Sequence, residues 1–272
     1  MSDLKIKEVL RIYAEHLKQT ISNSRGAVAV KHLEFFADMT VRQVAANVQA
    51  YIDQRKVSPG TINRELGVLQ AALRYAFKRG DLDFIPALMK MPSPPPRTQF
   101  LTDDEIKALV EDSRGYPVLH LFIRIALMTG QRKEAILSLR WDQVDFNANL
   151  IDFNDDLDPL RGRRKGRGVV PMSTALRGLL MSLKRVSPWV IQRKGKRVKT
   201  IRRQWDSLMR DTGLDITPHI LRHTVATQLA QKNVPIPQIA RILGHSDSRI
   251  TERVYAKFSP EFCRQAVTHL NV

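Results

Sequence analysis

Apolar residues recur at helical spacing through residues 1–90, which predicts that this part of the chain is all helix. The helices predicted from this spacing cover residues 5–17, 27–37, 40–51 and 61–79. In the last of these, isoleucine, leucine and alanine side chains fall on one face, while Arg64 and Arg74 lie mostly off it. Taken alone, this pattern indicates a helical bundle with solvated basic faces.

A proline-rich segment follows the predicted bundle. Residues 91–100 read MPSPPPRTQF, and four prolines in so short a run favour an extended, semi-rigid linker over a helix. Thr102 then precedes three acidic residues, which is typical of a helix start. We therefore predict two domains, residues 1–90 and 101–272, joined by the linker.

The pattern in residues 101–272 predicts helices together with a few short strands. The strongly apolar stretch 116–128 predicts a buried helix, and Gly130 permits a turn that puts Arg132 at the start of the next helix. Further helices are predicted over 176–186 and 204–210, and short strands over 144–153 and 168–172, the first of them broken by a turn at 147–149. The predicted fold class is therefore mainly α with a small β-sheet (α+β).

The charge of the chain indicates a polyanionic partner. Lysine and arginine number 44 against 27 acidic residues, a net charge of +17 that favours nucleic acid through phosphate neutralisation. Two runs are especially basic, 161–167 at a predicted hairpin tip and 193–203. Contact with DNA phosphates is one interpretation of both runs. For the hairpin tip, a solvated charge run remains the alternative.

Other features exclude several classes of protein. No stretch approaches 18 uncharged apolar residues, and the N-terminus lacks a signal-peptide pattern, so we predict a cytoplasmic protein without a membrane partner. The single cysteine, Cys263, excludes an internal disulfide framework and a cysteine-rich zinc site. No zinc-finger or P-loop spacing occurs.

Residues 217–258 bring together the side chains with the most distinctive chemistry. On a helix, the i,i+3 spacing of His219 and Arg222 places both on one face. His245 and Tyr255 follow, and a tyrosine beside two imidazoles and a guanidinium indicates a hydroxyl nucleophile that acts on an anionic centre. A single histidine is more often structural than catalytic. The occurrence of both histidines, Arg222 and Tyr255 in this order after Arg132 favours a catalytic role. For Arg132 itself, a structural ion pair with an acid such as Glu134 is the alternative.

These motifs together resemble the tyrosine recombinase family, the phage-integrase type of site-specific recombinase. Residues 129–132 (TGQR) are similar to its first-arginine box, 219–223 (HILRH) to its H-x-L-R box, and 243–245 (LGH) to its L-G-H box, with Tyr255 as the nucleophile. The resemblance covers nearly the whole chain. It implies a helical core-DNA-binding domain over 1–90 and a mixed α/β catalytic domain with a C-terminal tail helix over 101–272.

The resemblance also implies a role for each site residue, without a metal ion, ATP or another cofactor. The implied catalytic residues are Arg132, Lys165, His219, Arg222, His245 and Tyr255. The arginines would clamp the phosphate, the tyrosine would form a 3′-phosphotyrosine, His219 would take its proton, Lys165 would protonate the leaving 5′ oxygen, and His245 would hydrogen-bond the phosphate. Two departures stand out. Ala135 occupies a position that is usually glutamate, and the usual hairpin spacing lands on Arg163, whereas the only lysine in the hairpin is Lys165.

The implied partner is double-stranded DNA with specific attachment sites, bound by a homotetramer held together through the tail at 259–272. Host or phage DNA-bending proteins are possible accessory partners. The candidate DNA-binding side chains are Arg64, Arg74, Arg163, Arg164, Arg167, Lys199, Arg202 and Arg203. Integration or excision of a phage or mobile element is the leading interpretation. The alternatives are an Xer-like dimer or plasmid resolvase, a type IB topoisomerase, and a non-catalytic DNA-binding protein of the same fold.

Overall fold

The computed structural model describes residues 4–20, 30–92, 99–154, 167–245, 249 and 251–252. The chain divides into two compact units, residues 1–96 and 97–272, and each unit has its own hydrophobic core. Most of the predicted proline-rich linker lies outside the described residues. None of the helices within the described ranges combines the length and the apolar composition needed to cross a membrane.

The first unit is helical, as the spacing of its apolar residues predicts. Its elements are α1 (Ile6–Thr20), a 3-10 turn (Leu33–Phe36), α2 (Val41–Gln54) and α3 (Pro59–Lys78). Part of the predicted helix 27–37 is thus a 3-10 turn, preceded by helical residues 30–32, while 21–29 lie outside the described residues. The turn buries Leu33 and Phe36 in the same core as the apolar face of α3.

A buried carboxylate joins α2 to α3 inside this core. Glu65 is only 4% exposed and accepts hydrogen bonds from the Tyr51 hydroxyl at 2.7 Å and from Arg55 Nη2 at 2.6 Å. Burial raises the pKa of Glu65, but its hydrogen bonds with Arg55 and Tyr51 outweigh that effect and leave the pKa below its usual value. The first unit therefore carries a charged contact that depends on both helices.

The second unit is built from seven helices and two small sheets within the described residues. Its helices are α4 (Asp103–Asp112), α5 (Pro117–Thr129), α6 (Lys133–Leu137), α7 (Thr174–Met181), α8 (Arg202–Thr212), α9 (Pro218–Gln231) and α10 (Ile236–Leu243). As its sequence predicts, α4 begins after Thr102, whose backbone N–H donates to the Glu105 carboxylate at 2.7 Å. Helix α7 ends at Met181, earlier than the predicted 186, because the side chains at 184–186 are exposed and add nothing to the core.

Helix α9 is the centre of the second unit. Its buried residues lie on several sides of the helix, and it packs against α5 and α10. The backbone N–H of Leu101 donates to the Thr224 hydroxyl at 2.9 Å. The indole N–H of Trp205 on α8 donates to the carbonyl of Ile216 at 2.9 Å. The first bond anchors α9 itself, and the second anchors the segment that leads into it.

A three-stranded antiparallel sheet carries the hairpin that the sequence predicts. Its strands are β1 (Val144–Asp145), β2 (Leu150–Asp152) and β3 (Val169–Pro171), in the order β1-β2-β3. Ile151 pairs with Val144 on one side and with Val170 on the other. Residues 155–166, between β2 and β3, lie outside the described residues.

A second hairpin lies where the sequence indicates only a basic tract. Strands β4 (Gln192–Arg193) and β5 (Lys196–Arg197) pair around Lys194 and Gly195, which both have positive φ. The predicted fold class is confirmed, since the chain is mainly helical with small antiparallel sheets.

Candidate active site

The turn between α5 and α6 places Arg132 at the edge of the core. Gly130 ends α5 with φ of 63°, and Arg132 is the N-cap of α6. A Cβ atom on Gly130 would lie 2.9 Å from Cδ2 of Leu243 and 3.2 Å from Cγ1 of Val225. Helices α9 and α10 therefore close directly on this turn, and glycine is required both for its φ and for the close approach.

The second arginine reaches the same turn from α9. Arg222 is 4% exposed, and its Nη1 donates to the carbonyl oxygen of Gly130 at 2.9 Å. This bond joins two segments that are 92 residues apart in the chain. A guanidinium buried to this degree is costly unless it is hydrogen-bonded and faces an anion.

Two histidines, His219 and His245, are affected by the charges of these arginines. His219 is in the first turn of α9, and its ring meets that of His223 edge-on, with the ring centroids 4.7 Å apart. His245 follows α10, which Gly244 ends with φ of 67°. Nδ1 of His245 lies 2.6 Å from the hydroxyl oxygen of Thr251, which is fully buried. That contact fixes the orientation of the His245 ring.

The two arginines act electrostatically on both histidines. Burial, followed by the positive charges of Arg222 and Arg132, lowers the pKa of His245 to about 4. The pKa of His219 is likewise lowered to about 4, by burial first and then by His223 and both arginines, although part of its side chain remains exposed. Both imidazoles are therefore neutral at pH 7, beside two cationic guanidinium groups.

We call Arg132, His219, Arg222 and His245 the Arg–His cluster. The structure brings these four predicted residues together. The other two predicted catalytic residues, Lys165 and Tyr255, lie outside the described residues. Chemically, the cluster offers guanidinium donors for two oxygens of one anion and neutral imidazoles that can accept a proton. Within the described ranges, no group of three or more histidine, cysteine or acidic side chains is arranged to hold a metal ion.

The candidate DNA-binding side chains lie on several surfaces. Arg64 and Arg74 are exposed on α3 in the first unit. In the second unit the exposed candidates are Lys199, Arg202 and Arg203. Arg167 is half-buried and donates to the carbonyl of Phe153 at 3.1 Å, and the remaining candidates, Arg163 and Arg164, lie outside the described residues.

The two departures from the family pattern have different outcomes. Ala135 is buried in the hydrophobic core, so the position that is usually glutamate is an apolar packing position here. Glu134 is exposed and pairs with Lys133 at 3.2 Å. The hairpin ambiguity between Arg163 and Lys165 falls on residues that the structure does not describe.

Sequence reasoning did not single out three residues that surround the cluster. Gln131 is 3% exposed, and its Nε2 donates to the carbonyl of Ile242 at 2.5 Å. Thr251 contacts His245, and Gly168, the residue before β3, lies against Gly244. Each contact joins residues that are distant in the chain or separated by a loop, so hydrophobic periodicity carries no signal for it. A groove of about 730 Å³ borders this region and is lined by residues that include Arg167, Gly168 and His245.

Comparison with known proteins identifies related sequences. The Phage integrase family matches residues 99–261, more than half of the chain. Tyrosine recombinase XerA of Thermococcus kodakarensis is 30% identical over 222 residues, which cover 76% of this chain and 75% of that protein. The integrase of Escherichia phage 186 is 29% identical over 224 residues, which cover 78% of this chain and 61% of that protein.

Solved structures share the fold. The Tn1549 transposon integrase in complex with transposon right end DNA has a TM-score of 0.78 at 18% identity, covering 93% of this chain and 95% of that one. A lambda integrase dimer bound to a core site has a TM-score of 0.71 at 18% identity, covering 91% of this chain and 97% of that one. At this level of identity the likeness establishes the fold.

Proposed function

Because this chain belongs to the phage integrase family and is a tyrosine-type site-specific recombinase, we propose that the Arg–His cluster binds the DNA phosphate at which the strand is cut. The enzyme cleaves and rejoins DNA through a tyrosine intermediate. The observation that carries the proposal is the buried guanidinium of Arg222. Its charge and that of Arg132 lower the pKa values of both His219 and His245. A site that concentrates positive charge in this way is suited to a phosphate.

In the proposed cleavage step, the phenol oxygen of Tyr255 attacks phosphorus and the bond from phosphorus to the 5′ oxygen breaks. His219, which is neutral at pH 7, takes the tyrosine proton. Lys165 gives a proton to the departing 5′ oxygen, and the DNA remains joined to Tyr255 as a 3′-phosphotyrosine. The reverse attack by a 5′ hydroxyl rejoins the strand, so the bond energy is conserved and ATP is not consumed.

The two arginines supply the electrostatic part of catalysis. Negative charge grows on the two non-bridging phosphate oxygens during attack, and guanidinium forks match that geometry. Arg132 and Arg222 thus supply the charge that a divalent cation supplies in other phosphoryl-transfer sites. His245 adds a hydrogen bond to the phosphate from a ring whose orientation Thr251 determines.

The proposed substrate is double-stranded DNA with specific attachment sites. The first unit binds the core of the site through exposed cations such as Arg64 and Arg74, and basic surfaces of the second unit contact the phosphate backbone. Four copies assemble through the segment 259–272, with DNA-bending proteins as possible accessories, in the cytoplasm. Integration or excision of a mobile element is the proposed role, and the matches with an integrase and a transposon integrase support it.

A second candidate role is the resolution of chromosome dimers or plasmid multimers. The 30% identity with tyrosine recombinase XerA supports this alternative. The two roles predict different substrates. A resolvase recombines two copies of one site, whereas an integrase recombines two different sites.

Capture of covalent protein–DNA complexes tests the proposed function. The full chain is incubated with fragmented DNA of its source genome in EDTA, then denatured, and the DNA strands linked to protein are sequenced. We expect 3′-linked strands that share a sequence, and no linkage with Tyr255→Phe. Tight binding without linkage by the unmutated chain would contradict the assigned chemistry.

The recovered site then allows the proton donor to be tested. On a nicked duplex that traps the cleaved state, Lys165→Ala should lose cleavage, while Arg163→Ala should retain it. The opposite result would assign the proton donor to Arg163.

A further inference from the structure

The contact between His245 and Thr251 joins two groups that can each donate or accept a hydrogen bond. Nδ1 of His245 lies 2.6 Å from the hydroxyl oxygen of Thr251, within hydrogen-bond distance. Thr251 is fully buried, and its hydroxyl has no second hydrogen-bond partner among the described residues. The direction of this one bond therefore decides which nitrogen of the His245 ring carries the proton.

The backbone of His245 is fixed before Thr251 acts on the ring. The backbone N–H of His245 donates to the carbonyl of Ala240 at 2.9 Å. The preceding Gly244 has φ of 67°, and a Cβ atom there would lie 2.6 Å from the carbonyl carbon of Arg167. The end of α10 thus packs directly against the backbone before β3, so the His245 side chain leaves the helix in a defined direction.

Only one direction of the bond satisfies the buried hydroxyl. His245 is neutral at pH 7, so one ring nitrogen carries a proton and the other can only accept. If Nδ1 carried the proton, it would donate to the hydroxyl oxygen of Thr251. The hydroxyl hydrogen would then be buried without an acceptor among the described residues. If Nε2 carries the proton, the hydroxyl donates to Nδ1 and no donor is left unpaired.

The energetic difference between the two arrangements is the cost of one buried, unpaired donor. Such a donor loses its bond to water on folding and regains nothing, whereas a spare lone pair on an oxygen that already takes part in a bond is tolerated. Burial of Thr251 therefore favours the tautomer of His245 that is protonated at Nε2.

We propose that Thr251 is a positioning residue that holds His245 in the tautomer protonated at Nε2. His245 is partly exposed and lines the groove of about 730 Å³. Its Nε2–H then donates to a non-bridging oxygen of the bound phosphate as a neutral group. This inference rests on the proposed function, in which His245 contacts that phosphate.

The tautomer also separates the roles of the two histidines in the Arg–His cluster. Because the Thr251 hydroxyl occupies Nδ1 of His245 and Nε2 is already protonated, His245 has no lone pair available for the proton of the nucleophile. His219 is therefore the imidazole that takes this proton, and His245 serves only as a donor.

Imidazole nitrogen NMR reports the tautomer directly. The full chain is labelled with ¹⁵N in its seven histidines, and couplings to the ring protons distinguish Nδ1 from Nε2. The His245 signals are assigned by their loss in His245→Gln. At pH 7 we expect Nδ1 of His245 to be unprotonated and Nε2 to be protonated. This measurement needs no DNA.

Substitutions of Thr251 connect the tautomer to DNA cleavage. Thr251→Val removes the hydroxyl and keeps the shape of the side chain. We expect its His245 nitrogen signals to move towards those of an imidazole that exchanges between tautomers. Single-turnover cleavage of a nicked site should fall roughly 10-fold, the effect of one hydrogen bond. Thr251→Ser keeps the hydroxyl and should restore the tautomer and most of the cleavage.

The matched control is Thr212→Val, which removes a threonine hydroxyl at the end of α8. That hydroxyl donates to the carbonyl of Leu208 at 2.8 Å, within its own helix. The His245 signals and the cleavage rate of Thr212→Val should equal those of the unmutated chain. Thermal unfolding verifies that each variant folds.

A second pair of variants tests the donor role if Thr251→Val does not fold. His245→Gln supplies an amide N–H in place of Nε2–H but cannot take a proton, whereas His245→Ala supplies neither. We expect His245→Gln to cleave roughly 10-fold faster than His245→Ala, because the hydrogen bond to the phosphate is kept.

Three results would overturn the inference. They are a His245 ring protonated at Nδ1, cleavage at the unmutated rate by folded Thr251→Val, and equal cleavage by His245→Gln and His245→Ala. Failure of the proposed function is a distinct outcome. The unmutated chain and Thr212→Val would then form no covalent complex with DNA, while the nitrogen signals would still report the tautomer.

Discussion

Exchange of Arg222 for methionine should separate stability from catalysis. Arg222→Met replaces a guanidinium that is 4% exposed with an apolar side chain of similar length. It removes the bond to the carbonyl of Gly130, worth about 1.5–3 kcal/mol for a charged donor. It also removes a buried cation from a cluster of like charges, and replacing buried ionic groups with apolar ones is often neutral or stabilising by about 1–4 kcal/mol.

These two effects have opposite signs and similar size. We therefore expect the free energy of unfolding to change by less than about 1.5 kcal/mol. DNA cleavage should nevertheless fall by about 100- to 1,000-fold, the usual cost of losing one donor to a developing anionic charge. The buried arginine would then be retained for catalysis at little benefit to stability.

The histidines report whether Arg222 acts through its charge. After burial, Arg222 is the largest cause of the low pKa of His245, so this pKa should rise above about 4 in Arg222→Met. The pKa of His219 should also rise, because the charge of Arg222 lowers it as well. Imidazole NMR signals followed against pH, and assigned with His245→Gln and His219→Gln, give both values.

Arg210→Met is the matched control, since it removes one exposed cation from α8. It should leave both histidine pKa values and the cleavage rate unchanged. The reasoning is wrong if Arg222→Met leaves the pKa of His245 at its original value. A loss of more than about 3 kcal/mol of stability would also refute it, because that cost indicates a buried ion pair broken by removal of one partner.

Three further predictions concern stability. Because the pKa values of His219 and His245 are about 4 in the folded chain, against about 6.5 unfolded, the unfolded state binds more protons between these values. Thermal stability should therefore be flat above pH 6.5 and fall as pH drops from 6.5 to 4. In the variant with glutamine at both positions, the fall should be less steep. An identical slope in the variant and the unmutated chain would contradict the lowered pKa values. Glu65→Gln weakens a buried charged contact and should cost about 2 kcal/mol in urea unfolding, while an unchanged midpoint would show that the contact does not stabilise the first unit. Gly130→Ala and Gly213→Ala both place alanine at positive φ, but of these two glycines only Gly130 is crowded by neighbours. Gly130→Ala should therefore lower the free energy of unfolding by at least about 1 kcal/mol more than Gly213→Ala does. Equal losses in the two variants would rule out the close approach at Gly130.

Local features of the fold were predictable because their causes are local. The helical spacing of apolar residues in 61–79 corresponds to α3, and Thr102 with its acidic followers begins α4 as expected. The i,i+3 spacing of His219 and Arg222 placed both on one helix, where the structure has them. The family assignment from the motifs is confirmed.

The errors came where local preference and tertiary context differ. The run at 193–203 was interpreted only as a basic tract, but it overlaps the hairpin β4–β5, whose two-residue strands are too short to show alternation. Helix α7 ends five residues before the predicted end, at Met181, and the side chains at 184–186 are exposed. Neither outcome follows from propensity, because each depends on what the rest of the chain packs against the segment.

The sequence by itself determined which chemical groups the protein has and in what order: two arginines, two histidines and a tyrosine in motifs that identify the family. Only the tertiary structure decided how these groups meet. The bond from Arg222 to Gly130 and that from Gln131 to Ile242 join residues 92 and 111 positions apart, beyond the range of any helical or strand period. The low pKa of His245 likewise exists only after folding, because burial and assembled cations produce it.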